Sequence, residues 1–358
     1  MKKQENKRRN RVEAFDKQFF LVLIPLILLM ILFLFFPYWF TTRSWFGVDF
    51  SKTGQIGDTI GGILGPFIAI AAAILTFLAF WVQFKANEQQ KKDLQIERFE
   101  NKFYNLMEIH RNNVHEVIIG ETTKGRKAFI SMFKELKFTY LIITEYYNED
   151  YIKRHPDHLI SDEGIYNISY LVFYFGVGAN SSKVVIDLIG KEHLVFFREV
   201  EEFVKLNKEQ WKEKRVAGHT ISANFGDSPY ELDINYMPCN GHMSILSHYM
   251  RNLYHTVKYI DEQDEDLIPY EQKLQYASTL RSQLSIHEQL LVYYNAISVL
   301  GKTWIDDGLL AKYCIIKNLP IPLADFYRSP LALFPEKNSF DKTMFEWTEL
   351  HTRVELLH

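Results

Sequence analysis

The sequence predicts an all-α protein, with two N-terminal transmembrane helices followed by a mostly helical cytoplasmic domain. Three observations carry that reading. Residues 19–36, FFLVLIPLILLMILFLFF, hold no charge, and a second apolar span covers residues 60–84. Beyond Phe84, apolar residues recur at three- and four-residue spacing with no glycine or proline until Gly120. The 358 residues are 47% hydrophobic and 24% charged with a net charge of -3, which suits a folded core and gives no basic excess for nucleic acid.

The first helix is assigned to residues 19–40, because the apolar run continues through Tyr38, Trp39 and Phe40. At about 1.5 Å per residue such a span reaches roughly 33 Å, enough for a hydrocarbon core of about 30 Å. A cleaved signal peptide fits poorly, since the run is too long and no small-x-small site follows it. Residues 1–18 form a basic N-terminus with Lys2, Lys3, Lys7, Arg8, Arg9, Arg11 and Lys17. The short external loop, 41–59, carries only Arg43 and Lys52, whereas Lys85, Lys91, Lys92, Arg98 and Lys102 follow the second span. This asymmetry places both termini in the cytoplasm.

The second helix, 60–84, opens on GDTIGGILGPF and closes on FWVQFK, an aromatic belt with a lysine. Gly57, Gly61, Gly65, Ala69 and Ala73 fall at every fourth position and form a stripe of nearly bare backbone, the pattern through which membrane helices pack closely. The stripe predicts contact with the first helix or with a second copy of the chain. Asp58 is expected at the headgroup level, capping the helix or serving an interface. Pro66 is expected to kink or restart the helix.

The cytoplasmic part begins with a helical stalk, 85–120, where Ile96, Phe99, Phe103, Leu106, His110 and Val117 share one face. The domain proper, 121–358, shows helical patterns at about 125–154, 162–175, 181–213, 242–262, 268–300 and 303–318. Residues 217–241 are the least helical and read as a loop or short hairpin. The stretch after Asn338 either packs as a last helix or frays. Cys239 and Cys314 are the only cysteines, which implies no disulfide or zinc framework. His155 and His158 lack an acidic or thiol cluster, and His248 and His255 stand two turns apart, so no metal or cofactor site is predicted.

Four ordered motifs carry a resemblance: RFENKFYNLMEIHRNNV (98–114), GRKAFISMF (125–133), GHMSILSHYMRNLYHTVKYID (241–261) and YASTLRSQLSIHEQLLVYYNAISVLGKTW (276–304). With GDTIGGILGPF before them, they resemble the phage abortive infection proteins of the AbiC type. The resemblance implies antiviral defence at the bacterial inner membrane, in which infection, through an unknown phage-derived trigger, arrests or kills the host cell. It implies no known reaction.

The motif residues have a physical pattern of their own. On the 242–262 helix, Leu246, Tyr249, Leu253, Val257 and Ile260 form an apolar seam beside a polar stripe of His248, Arg251 and His255. Along 281–295, Arg281, Ser285, Glu288 and Asn295 share a face beside Leu284, Leu291 and Tyr294. These polar residues predict either a network pinning two helices, with Arg251 or Arg281 meeting Glu288, or a ligand groove. An enzymatic alternative is a membrane-tethered ribonuclease: RSQLSIH resembles the Arg–His element of HEPN ribonucleases, with His287 as acid or base and Arg281 steadying a phosphate. Another alternative is a membrane scaffold without its own effector activity. AISVLGKT, 296–303, fits a relaxed phosphate loop in form only, and Gly301 reads as a helix C-cap.

Overall fold

The computed structural model describes residues 55–120, 122–216, 220–225 and 228–347, with single positions between 24 and 39. The expected basic N-terminus and most of the expected first membrane helix lie outside the described residues, as does the chain after 347. The single positions described within 19–40 are helical.

The chain divides into two compact units, 1–94 and 95–358. In the first, the described chain, besides the positions between 24 and 39, is residues 55–94 of α1 (Gln55–Glu116), which runs without interruption through Pro66. Its apolar stretch is long and apolar enough to cross a membrane, and almost none of it is buried: Ile68, Ile70, Phe77 and Phe80 are all exposed. A core helix of a soluble domain would bury such residues. Asp58 lies in the first helical turn, where a carboxylate faces the positive end of the helix dipole. A Cβ added at Gly57, Gly61 or Gly65 would meet nothing within 4 Å, and Ala69 and Ala73 are exposed too.

The second unit is mostly helical, with two antiparallel hairpins among the described residues. The end of α1 belongs to it, burying Phe99 and Phe103. Hairpin β1 (Ile118–Ile119) and β2 (Thr123–Lys124) turns the chain back into α2 (Arg126–Tyr146), which continues through a π-helical turn, Tyr147–Tyr151. Helix α2 packs on α3 (Asp162–Phe175), whose N-cap Ser161 accepts a hydrogen bond from the Gly164 amide. The expected helix over 181–213 is two, α4 (Ser181–Leu188) and α5 (Leu194–Val216), because Gly190 interrupts the pattern between them. The stretch 217–241 contains the hairpin β3 (Ile221–Phe225) and β4 (Ser228–Leu232).

Then come α6 (Met243–Asp261), α7 (Tyr270–Arg281) and α8 (Ile286–Ala296). The expected single helix 268–300 is thus broken, because Ser285 makes a capping box that starts α8 anew. The region expected as a helix over 303–318 folds as two single turns, Thr303–Asp306 and Leu309–Lys312, separated by Gly308 at φ +65°. Gly301 is no C-cap: α8 has ended five residues earlier, and a Cβ at Gly301 would collide with the backbone of Asn295. After Asn338 the described chain packs without forming a long helix, burying Met344 and Phe345.

Candidate functional site

The seam predicted for α6 is fully buried: Leu246, Tyr249, Leu253, Val257 and Ile260 all show no exposed surface. It brings the Tyr249 hydroxyl to Glu288, a fully buried carboxylate in the first turn of α8. Tyr249 donates to Oε1 at 3.1 Å, and the backbone amide of Ser285 donates to Oε2 at 2.8 Å. The Ser285 hydroxyl accepts in return from the Glu288 amide. Burial, and then the carboxylate beside it, push the Tyr249 phenol well above its usual range, so it stays a donor.

The cation that meets Glu288 is Arg126, from the head of α2. Its Nε stands 3.8 Å from Oε2, and its Nη2 donates to the Gln283 carbonyl at 2.8 Å. The expected partners lie elsewhere. Arg281, the last residue of α7, donates to the Cys314 carbonyl at 2.9 Å and to the Ser278 hydroxyl at 3.0 Å. Arg251, with His248 and His255, occupies the exposed face of α6. Asn295, two turns beyond Glu288, donates to the Tyr170 hydroxyl at 2.8 Å. The polar motif residues therefore divide among four surroundings, and one face of a continuous helix does not describe them.

Arg281 and His287 stand on different helices, separated by the turn before Ser285. His287 is half-buried, with its ring edge-on to Phe133, and burial followed by the nearby Lys134 lowers its pKa. Arg281 lines a different opening of about 400 Å³, with Ser278, Lys317 and Lys342. No described group of His, Cys, Asp and Glu residues has the arrangement of a metal site.

Against Arg126 opens a cleft of about 260 Å³, lined also by His110, Arg111, His115, Gly125 and Gln283. The β1–β2 hairpin creates it by returning the head of α2 to the last turns of α1. His110 is 1% exposed, and neither ring nitrogen has a hydrogen-bond partner among the described residues. Burial, then the Arg126 charge, lower its pKa to about 4, so the ring is neutral at pH 7. Below pH 6.5 the unfolded chain binds a proton that the folded ring refuses. Stability present above that pH is therefore lost on acidification towards pH 4, at up to about 1.4 kcal/mol per pH unit. In denaturant titrations at pH 7, 6 and 5, His110→Phe is expected to flatten this slope relative to the parent; parallel slopes would exclude His110 as its source.

Along the sequence His110 falls on the apolar face of the stalk, and no local pattern singles out Arg126. The signals were present in HRNNVH and GRK, each a dense basic cluster beside a helix end, but nothing local links segments 110–115 and 126.

The site belongs to a mostly helical domain in which α6 and α8 bring together Tyr249 and the buried Glu288. Residues 241–323, which hold α6, α7 and α8, match the family model described as putative phage abortive infection protein, the same family that the motifs resemble. No curated protein and no solved structure matches the chain.

Proposed function

We propose that this chain is an antiviral defence protein of the abortive infection type. It is anchored in the bacterial inner membrane by helices at 19–40 and 60–84, with both termini cytoplasmic. Its helical domain responds to a phage-derived trigger and brings about growth arrest or membrane damage. The family match over 241–323 carries this reading, because it covers the helices on which the Glu288 network is built. The exposed apolar stretch of α1 supports the membrane anchor, since apolar surface costs about 25 cal/mol per Å² in water and nothing in lipid. Arg281 and His287 give no comparable support to RNA cleavage, as each is held by different neighbours.

The test is phage challenge of cells expressing the chain, with a membrane-potential dye and a total-RNA gel read in parallel. Reduced plaque formation with depolarisation and intact RNA is expected. RNA fragmentation before depolarisation would overturn the membrane effector in favour of a nuclease, and unchanged plaque formation would overturn the defence role.

The glycine stripe adds a second expected outcome. Lipid supplies little hydrophobic drive between helices, so association depends on close contact along small residues. Gly61→Leu and Gly65→Leu are expected to weaken homo-oligomer crosslinking and phage protection together while insertion persists, because leucine is favourable in lipid and too wide for the contact. Phe77→Leu, beyond the stripe, serves as a mild control. Parental crosslinking and protection in both glycine variants would refute the packing role.

A further inference from the structure

The cleft at the head of α2 has the makings of an anion site, and it draws on none of the membrane reading. Helix α2 is 21 residues long, and its N-cap, Gly125, supplies no side-chain hydrogen bond to the first-turn amides. The Ala128 amide donates to the Gly125 carbonyl at 3.0 Å, which leaves the amides of Arg126 and Lys127, with the positive end of the helix dipole, to favour negative charge. Arg111 and His115, one turn apart near the end of α1, line the same cleft, and none of the described lining residues is acidic. Arg126 is not free to wander: its Nη2 is tied to the Gln283 carbonyl and its Nε faces Glu288. A second observation is independent of charge. His110 lines the cleft while 1% exposed, with neither ring nitrogen partnered among the described residues. Buried polar atoms are nearly always hydrogen-bonded, so two orphans on one ring at the wall of a cleft mark where a ligand supplies the missing partner.

We propose that this cleft binds the phosphate group of a free nucleotide, with Arg111 and Arg126 pairing its oxygens, the α2 amides completing the cradle and His110 donating from beneath. A neutral imidazole offers one donor and one acceptor, which suits a phosphate oxygen and a sugar or phosphate hydroxyl. The planar fork of Arg111 can meet two phosphate oxygens at once, while Arg126, engaged by Gln283 and Glu288, adds a single further donor. At about 260 Å³ the cleft falls just below the usual span of ligand sites, about 300–1,000 Å³, matching a phosphate with part of its sugar more closely than an extended polymer.

The full-length chain in detergent is titrated with inorganic pyrophosphate and with a nucleoside triphosphate, by calorimetry and thermal shift, against sulfate at equal ionic strength. Both phosphate ligands are expected to bind, the nucleotide more tightly. Arg111→Ala, on an exposed residue whose loss spares the core, is expected to weaken both at least tenfold. His110→Phe is expected to weaken both while raising the melting temperature, because it removes two unpaired buried nitrogens. Lys183→Ala, an exposed cation on α4, is expected to bind as the parent does. Pyrophosphate binding without nucleotide binding would keep the anion site and overturn the nucleotide assignment. Absence of both, sulfate binding as well as pyrophosphate, or parental affinity in Arg111→Ala and His110→Phe would overturn the site.

Discussion

Gly241→Ala and Gly176→Ala are each expected to destabilise the helical domain by roughly 2–6 kcal/mol, a large part of a typical folding free energy of about 5–15 kcal/mol. The two glycines sit where the C-terminus of α3 crosses the approach to α6. Both have positive φ, +75° at Gly176 and +89° at Gly241. A Cβ at Gly241 would lie 2.5 Å from the carbonyl carbon and oxygen of Phe175, and one at Gly176 would lie 2.5 Å from the Asn240 carbonyl carbon. The obstacle is backbone, which no rotamer change relieves. The crossing is also hydrogen-bonded, with the His242 amide donating to the Tyr174 carbonyl at 2.8 Å and the Val177 amide to Cys239 at 3.1 Å. Beside it, fully buried Glu135 accepts from the Cys239 amide and pairs with His242 Nε2, each at 2.7 Å. A shift to admit a methyl group would pull on all of these. Gly308→Ala separates strain from collision: φ is +65°, but the new Cβ would meet nothing within 4 Å. It is expected to cost only about 1 kcal/mol. Denaturant midpoints decide the matter, and equal shifts for Gly241→Ala and Gly308→Ala would refute the collision argument.

Glu288→Ala is expected to cost roughly 3–5 kcal/mol and to lower the amount of folded protein recovered. Three losses add up. The capping box at the start of α8 disappears, worth roughly 1 kcal/mol. The buried Tyr249 hydroxyl loses its acceptor, at about 1–3 kcal/mol. The truncated side chain leaves a cavity in a site with no exposed surface. The Arg126 pair adds little, because that side chain is 60% exposed and solvent screens it. Glu288→Gln keeps an acceptor for Tyr249 and is expected to recover most of the stability. Should Glu288→Ala keep parental abundance and melting temperature while losing phage protection, the network would be a functional groove and its packing role would fall.

Much of the domain was legible in its local periodicity. The α6 seam is buried at all five positions read from the sequence, and α3 spans the 162–175 pattern residue for residue. The least helical stretch does contain a hairpin. Boundaries inside long helical patterns were less legible. Residues 268–300 keep an apolar rhythm across a break, because the rhythm reports which residues face the core, and a chain that turns there and starts again can keep facing it. Ser285 and Glu288, three apart, were the capping-box signal for that break.

The sequence by itself determined the helical class, the apolar face of α6 with the polar stripe of His248, Arg251 and His255 beside it, and an apolar stretch long enough to span a bilayer. Each of these depends on residues within a few turns of one another, where a rotation of about 100° per residue decides who is neighbour to whom. Only the tertiary structure decided that Glu288 meets Arg126 rather than Arg251 or Arg281, that Arg281 and His287 face different surroundings, and that His110 stands at a basic cleft with no hydrogen-bond partner among the described residues. Those pairings join segments far apart in the chain. Which of several equally suitable cations reaches a buried carboxylate is set by the packing of whole helices and by the turn of the β1–β2 hairpin, and the side chains' own chemistry does not distinguish among them.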